Sequence, residues 1–177
     1  MEQTSLMTEK IRDFFSSRFA DAVISEDNFR DQQSFYVKPE AIFDICQTLL
    51  NDAELDLKYL SDITSLDWLG DEEAEKGRFE VVYNLYSLTH KNRLFLKVRL
   101  PEDNPRIRTV SDLWAGANCM EREVWDLMGI DFEGHPDMTK VLTADELDGH
   151  PLRKDFPLTW EQPKFTWNKD DSPEVIK

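Results

Sequence analysis

Three groups of residues have the types and spacing to do chemistry. The first is Glu121-Arg122-Glu123 with Asp126 five positions after Glu121. On a helix Arg122 and Asp126, four apart, pair along one face, an exposed contact that contributes only tenths of a kcal/mol. Glu121 and Glu123 are separated by roughly 200° around the helix, so they cannot form one acid/base or two-carboxylate metal centre. The second group is a repeated Gly-His-Pro turn, Gly134-His135-Pro136-Asp137 and Gly149-His150-Pro151-Leu152. Glycine permits an unusual backbone angle, proline fixes the exit direction, and the histidine between them is free to hydrogen-bond. Two histidines with Asp137 or Asp155 have the chemistry of a zinc site, the basis of a metal-dependent hydrolase. They sit on separate proline-bracketed loops without a helical HExxH frame, which weighs against that reading. The third group, Arg153-Lys154-Asp155 between apolar anchors, suits salt-bridged docking on another protein.

These residues need elements to position them. Met7, Ile11, Phe14, Phe15 and Phe19 recur at helical spacing and predict an amphipathic first helix. Glu26 to Gln33 reads as polar and turn-like, followed by a short strand at Ser34–Val37. Pro39 opens a second helix whose apolar face is Ile42, Phe43, Ile45, Cys46, Leu49 and Leu50. Leu55 to Leu69 holds a strand ending near Ile63. The acidic segment 70–77 reads as a solvated connection, because carboxylates on a flexible loop lack a preorganised metal geometry. Phe79 to Leu88 and Arg93 to Leu100 form the clearest strand pair, joined by a turn containing His90. Leu94, Leu96 and Val98 alternate with Arg93, Lys97 and Arg99, so one sheet face is apolar and the other basic, with Phe95 interrupting the basic face. After a charged loop, Pro101 to Arg108, a third helix is expected to open at Ser111-Asp112 and to stop at Gly129-Ile130 in a Schellman-type cap.

Composition narrows the function. The 36 acidic residues outnumber 21 basic ones, for a net charge of −15, which opposes nucleic acid and anionic lipid as ligands. The two cysteines, Cys46 and Cys119, make no CxxC pair and argue against a disulfide framework, an iron–sulfur site or a zinc ribbon. No apolar run reaches membrane-spanning length and the first ten residues lack a signal-peptide core. The expected architecture is therefore α+β: a small mixed sheet packed with about three helices over residues 1–130, and an extended arm with little regular structure over 131–177. Phe132, Val141, Leu142, Leu152, Phe156, Leu158, Trp160, Phe165 and Trp167 are many large anchors for a free tail, so the arm is read as docked on a partner and as adding little to the domain's own core.

EREVWDLMGIDFEGHPD followed by KVLTADELDGHPLRKDFPL, positions 121–158, resembles the 30 kDa-type subunit of respiratory complex I, the bacterial NADH-quinone oxidoreductase. More diffuse similarity reaches back through RFEVVYNLYSL and LFLKVRLPEDNPRIRTVSDLWAGANCMERE. The chain departs from the family at Thr139-Lys140, where two arginines are usual, at Met128, where phenylalanine is usual, and in its C-terminal ending. The resemblance implies a non-catalytic structural subunit of the hydrophilic arm of a proton-translocating NADH (or related donor):quinone oxidoreductase. Its neighbour would be the 49 kDa-type quinone-side subunit. The resemblance also implies no cofactor in this chain, with iron–sulfur clusters, and flavin where an NADH module is present, in partner subunits. Residence would be peripheral to the inner membrane through the complex, on the cytoplasmic side (matrix or stromal in an organelle). Under it the partner contacts are Glu121, Arg122, Glu123, His135, Asp137, His150, Arg153, Lys154 and Asp155. The competing readings are the metal-dependent hydrolase built on His135 and His150, and a stand-alone acidic adaptor.

Overall fold

A computed structural model describes residues 2–30 and 32–158, and the arm anchors Trp160, Phe165 and Trp167 lie outside that range. Its elements run α1 (Glu2–Arg18), β1 (Val23–Phe29), β2 (Gln32–Val37), α2 (Ile42–Asn51), β3 (Tyr59–Asp67), β4 (Phe79–Ser87), β5 (Asn92–Leu100), β6 (Arg106–Arg108), α3 (Ala117–Met128) and β7 (Asp131–Glu133). The main sheet has the order β1-β2-β5-β4-β3, with only β2 and β5 parallel. The expected α+β class, with a mixed sheet and three helices, is what the chain adopts.

All three helices serve one face of that sheet. Phe35, Phe79, Val81, Tyr83, Leu85, Leu94, Leu96 and Val98 point inward, each at most 2% exposed. They meet Ile11 and Phe15 of α1, Ile42, Ile45 and Leu49 of α2, and Val124 and Met128 of α3. Phe15 stacks on Phe35 with ring centroids 4.1 Å apart. Burying apolar side chains on this scale is the dominant favourable contribution to folding. Cys46 is fully buried in α2, where burial pushes its thiol well above the usual range. It packs as a small hydrophobe, whereas Cys119 is exposed.

Several local expectations give way. The polar stretch before residue 34 is not a turn: β1 occupies Val23–Phe29 and the reversal is confined to the positions around Arg30, at φ 52°. An edge strand needs no apolar alternation, because β2 supplies its hydrogen bonds and Arg12 grips Glu26 at 2.8 and 2.9 Å from α1. β3 runs on to Asp67 instead of ending near Ile63. The segment read as a charged loop contains β6, which pairs in parallel with β7. Phe132 in β7 is 2% exposed, so sheet and core both continue past position 130. Finally, α3 begins at Ala117 and not at Ser111. Thr109 Oγ1 binds the Ser111 amide (3.1 Å), and Trp114 Nε1 donates to the Lys58 carbonyl at 2.7 Å, holding 110–116 in successive turns.

Candidate functional site: a strap bound to both ends of the third helix

The chain after β7 returns over α3 and is fastened at three places. At the first, Gly134 takes φ +85° and lets His135 fold back, with its side chain 1% exposed. The Asp137 amide donates to Nδ1 at 3.2 Å, so Nε2 carries the proton and donates to the Asn118 carbonyl at 3.2 Å. Glu121 lies directly beneath, wholly buried, with Oε2 4.0 Å from His135 Nε2. Its carboxyl accepts the Val110 amide at 2.7 Å and the Thr109 hydroxyl. Burial pushes its pKa up to about 7, the two hydrogen bonds only partly opposing that, and Asp112 adds to the rise.

The second fastening is at Asp126. One carboxylate oxygen accepts three successive backbone amides of the strap, Val141 (3.0 Å), Leu142 (2.9 Å) and Thr143 (3.0 Å), and the other accepts the Thr143 hydroxyl. Burial by itself would raise this acid, yet the donors hold it at about 2. Arg122 does not pair with Asp126. It donates instead to the carbonyl of Thr139 (3.0 Å), to its hydroxyl (2.7 Å) and to the Lys140 carbonyl (3.3 Å). Lys140 turns its ammonium onto the carbonyls of Ala144 and Leu147. The two positions that depart from the family pattern thus make contacts within the chain.

The third fastening closes the C-terminus of α3. Gly129, at φ +70°, caps the helix by donating to the Trp125 carbonyl at 2.8 Å. The carbonyls that a helix end leaves without partners are then taken one by one. His150 Nδ1 meets the Asp126 carbonyl (2.9 Å), the Leu152 amide donates to Leu127 (3.0 Å), and Arg153 donates to Met128 (2.6 Å) and Gly129 (3.2 Å). A cation at this helix end also complements the macrodipole. The fit requires a glycine, since a Cβ at position 129 would stand 2.3 Å from Arg153 and 2.4 Å from His150.

Beyond it the strap reaches the sheet. Asp67 accepts Arg78 at 3.0 Å through each oxygen, and also the Lys154 amide at 2.8 Å. Arg78 is 5% exposed and further binds Glu102 and Asp155, both at 2.7 Å. Burial would raise Asp67, but Arg78 and the amides of Lys154 and Leu69 hold it at about 2. Lys154 Nζ ends on the Leu69 carbonyl at 3.1 Å.

Of the nine residues expected at a partner interface, Glu121 is buried and Arg122, His135, His150 and Arg153 are half-exposed, and all five spend polar atoms inside the chain. Glu123, Asp137, Lys154 and Asp155 are exposed. The strap is fastened to the domain through polar groups, and among the described residues beyond Phe132 of β7 only Met138 packs against the apolar core. His135 and His150 are not brought together: their partners Asn118 and Asp126 lie eight residues apart, roughly 12 Å along a helix. Among the described residues no group of three His, Cys, Asp or Glu is placed to hold a metal ion. Sequence reasoning missed Arg78, Asp67 and Thr109. Asp67 ends β3, Arg78 precedes β4 and Thr109 follows β6, positions with no pattern of their own, and their partners are distant in sequence.

The class this geometry defines is a two-layer α+β domain closed by a strap of its own chain, and two solved structures resemble the chain in fold. A trypsin-resistant fragment of Nqo5 aligns with TM-score 0.62 and 34% identity over 74% of this chain and 98% of the fragment. A chain from the membrane-bound sulfane sulfur reductase, an archaeal respiratory membrane complex, aligns with TM-score 0.70 and 28% identity over 85% of this chain and 86% of that one. Residues 35–162 match the family described as respiratory-chain NADH dehydrogenase, 30 Kd subunit, and the chain belongs to that family. The corresponding NADH-quinone oxidoreductase subunit of Roseiflexus sp. (strain RS-1) is 44% identical over 150 residues, 85% of this chain and 84% of the relative. That of Geobacter metallireducens is 43% identical over 158 residues, 89% of this chain and 92% of the relative.

Proposed function

We propose that this chain is a non-catalytic subunit of the hydrophilic arm of a proton-translocating quinone oxidoreductase, and that the segment from position 131 onward docks it on the large, 49 kDa-type quinone-side subunit. Family membership supports the assembly. One observation carries the docking: the strap turns its polar groups inward and leaves its apolar ones out. Val141 is 44%, Leu142 61%, Leu152 58% and Leu158 104% exposed, although the backbone around Leu142 and Leu152 is pinned by Asp126 and the end of α3. Rigidly held, solvent-facing leucines cost little further ordering on binding and suit the apolar centre of an interface. Glu123, Asp137, Lys154 and Asp155 supply its polar rim, while Glu121, Arg122, His135, His150 and Arg153 set the path of the strap. Electron transfer and the iron–sulfur and flavin groups belong to partner chains, and membrane association comes through them. Among the described residues no helix is long and apolar enough to cross a membrane.

The test is recovery of the complex from membranes in mild detergent. Leu142→Asp combined with Leu152→Asp should abolish co-purification with the quinone-side subunit while the isolated chain keeps its melting temperature. Undiminished co-purification would remove the strap from the interface, and recovery of the unaltered chain without any oxidoreductase subunit would favour the stand-alone adaptor.

A further inference from the structure

Among the described residues, none of α1, α2 and α3 packs on the second face of the sheet. With the inner positions of the central strands buried, the alternate positions form an outer surface. Its positions that are not buried are Arg93, Phe95, Lys97 and Arg99 of β5, Tyr36 of β2 and Asn84 and Tyr86 of β4, whereas Ser34, Glu80 and Val82 of the same face are buried. An antiparallel sheet face open to water is ordinary, so exposure alone carries nothing. What singles this face out is its chemistry in a chain of net charge −15. Arg99 is neutralised, with Glu80 at 2.9 Å and Glu73 at 3.3 Å, and its guanidinium lies 4.3 Å from the Trp68 ring centroid. Arg93 and Lys97 are different. Their heads rest over aromatic rings, Arg93 5.7 Å from Tyr86 and Lys97 5.1 Å from Tyr36, and among the described residues neither has a carboxylate within 4.0 Å. Phe95, half-exposed, sits between them, paired with Ser34 on one side and Asn84 on the other. The exposed carboxylates of this face, Asp27 and Asp62, are on the two edge strands.

Two cations flanking an aromatic at the centre of a sheet, in a protein with fifteen more acids than bases, are unmatched charges that an acidic partner would complement. A ring beneath each cation leaves its N–H donors free to point outward. The overall negative charge disfavours phosphate-rich nucleic acid and anionic lipid. We propose that this outer face is a second docking surface, separate from the strap. It receives an acidic segment of another protein of the assembly, with carboxylates on Arg93 and Lys97 and an apolar side chain against Phe95. The inference rests on the assembly reading above and adds a contact to it.

The intact complex, purified in mild detergent, is treated with an amine-acetylating reagent in parallel with the isolated chain. Modification of Lys97 is read by mass spectrometry against Lys91, an exposed lysine of the neighbouring turn. A several-fold loss of Lys97 acetylation in the complex, together with carbodiimide cross-links joining Lys97 to an aspartate or glutamate of another subunit, is the expected result. Equal reactivity in both samples overturns the proposal, and so do cross-links to a carboxylate of this chain or of a second copy of it. If the chain is in the complex and Lys97 is unprotected, only the outer face is wrong. If the chain is absent from the complex, the assembly reading fails and takes this inference with it.

Discussion

The two ends of α3 each bury a carboxylate beneath the strap, and they treat it in opposite ways. Glu121 is pushed up to about 7 and Asp126 is held at about 2, though both are at most 1% exposed. Burial raises both acids. Glu121 is the more deeply desolvated and receives only one amide and one hydroxyl, whereas Asp126 receives three amides and one hydroxyl. A buried acid becomes a charged anchor only when hydrogen bonds to its ionised form outweigh desolvation. The histidines differ in the same spirit, since His135 offers the proton on Nε2 and His150 offers that on Nδ1, each to a helix carbonyl.

The comparison is most severely tested at Asp126. Replacement by alanine strands three strap amides at once and should cost about 4 kcal/mol, read by chemical denaturation, with new tryptic cleavage at Lys140 in the native protein. Retained protease resistance there would mean that the carboxylate does not hold the strap.

The opposite acid predicts a pH effect of opposite sign. Glu121 has a folded pKa above its ordinary 4.5, so folding takes up a proton between those values. Its contribution is fully present below about 4.5 and is lost as pH rises through about 7, a fall on the order of 3 kcal/mol. Asp126 and Asp67, depressed from 3.8 to about 2, contribute stability above about 4 that is lost as pH falls toward 2. Denaturation midpoints from pH 3 to 8 should therefore peak in mildly acidic solution. Glu121→Gln should flatten the neutral limb and leave the acid limb in place. A steep neutral limb in that variant would assign the slope to another group.

Gly129→Ala tests the close approach of the strap to the helix cap. Left-handed backbone and the displacement of His150 and Arg153 together should cost about 2 kcal/mol. A neutral result would show that the second turn can be displaced without cost. The smallest effect is expected on the outer sheet face, where Lys97→Glu should change the stability of the isolated chain by less than about 0.5 kcal/mol.

Much of the framework was legible in the amino-acid order. Period-two alternation in 79–88 and 93–100 and the helical spacing of Ile11, Phe14 and Phe15 report one-sided burial, which is a local property. Gly129 announced the end of α3 because few other residues adopt its backbone angle. The edge strand β1 was hidden by its polar composition, since its hydrogen bonds come from a neighbour and not from its own pattern. The start of α3 differs from the local signal because Ser111 and Asp112 carry an N-cap pattern that turns use equally well.

The same division holds for the strap and the acids beneath it. Sequence by itself determined which residues had the chemistry: two turn-held histidines, acids on a helix, cations among apolar anchors. It also determined that Glu121 and Glu123 face different ways, because helical geometry alone decides that. Only the tertiary structure decided that Glu121 is neutral-leaning and Asp126 charged, and that Arg153 caps a helix instead of facing outward. Those outcomes depend on desolvation and on donors brought in from as far as residues 109 and 143, distances along the chain over which no local pattern carries information.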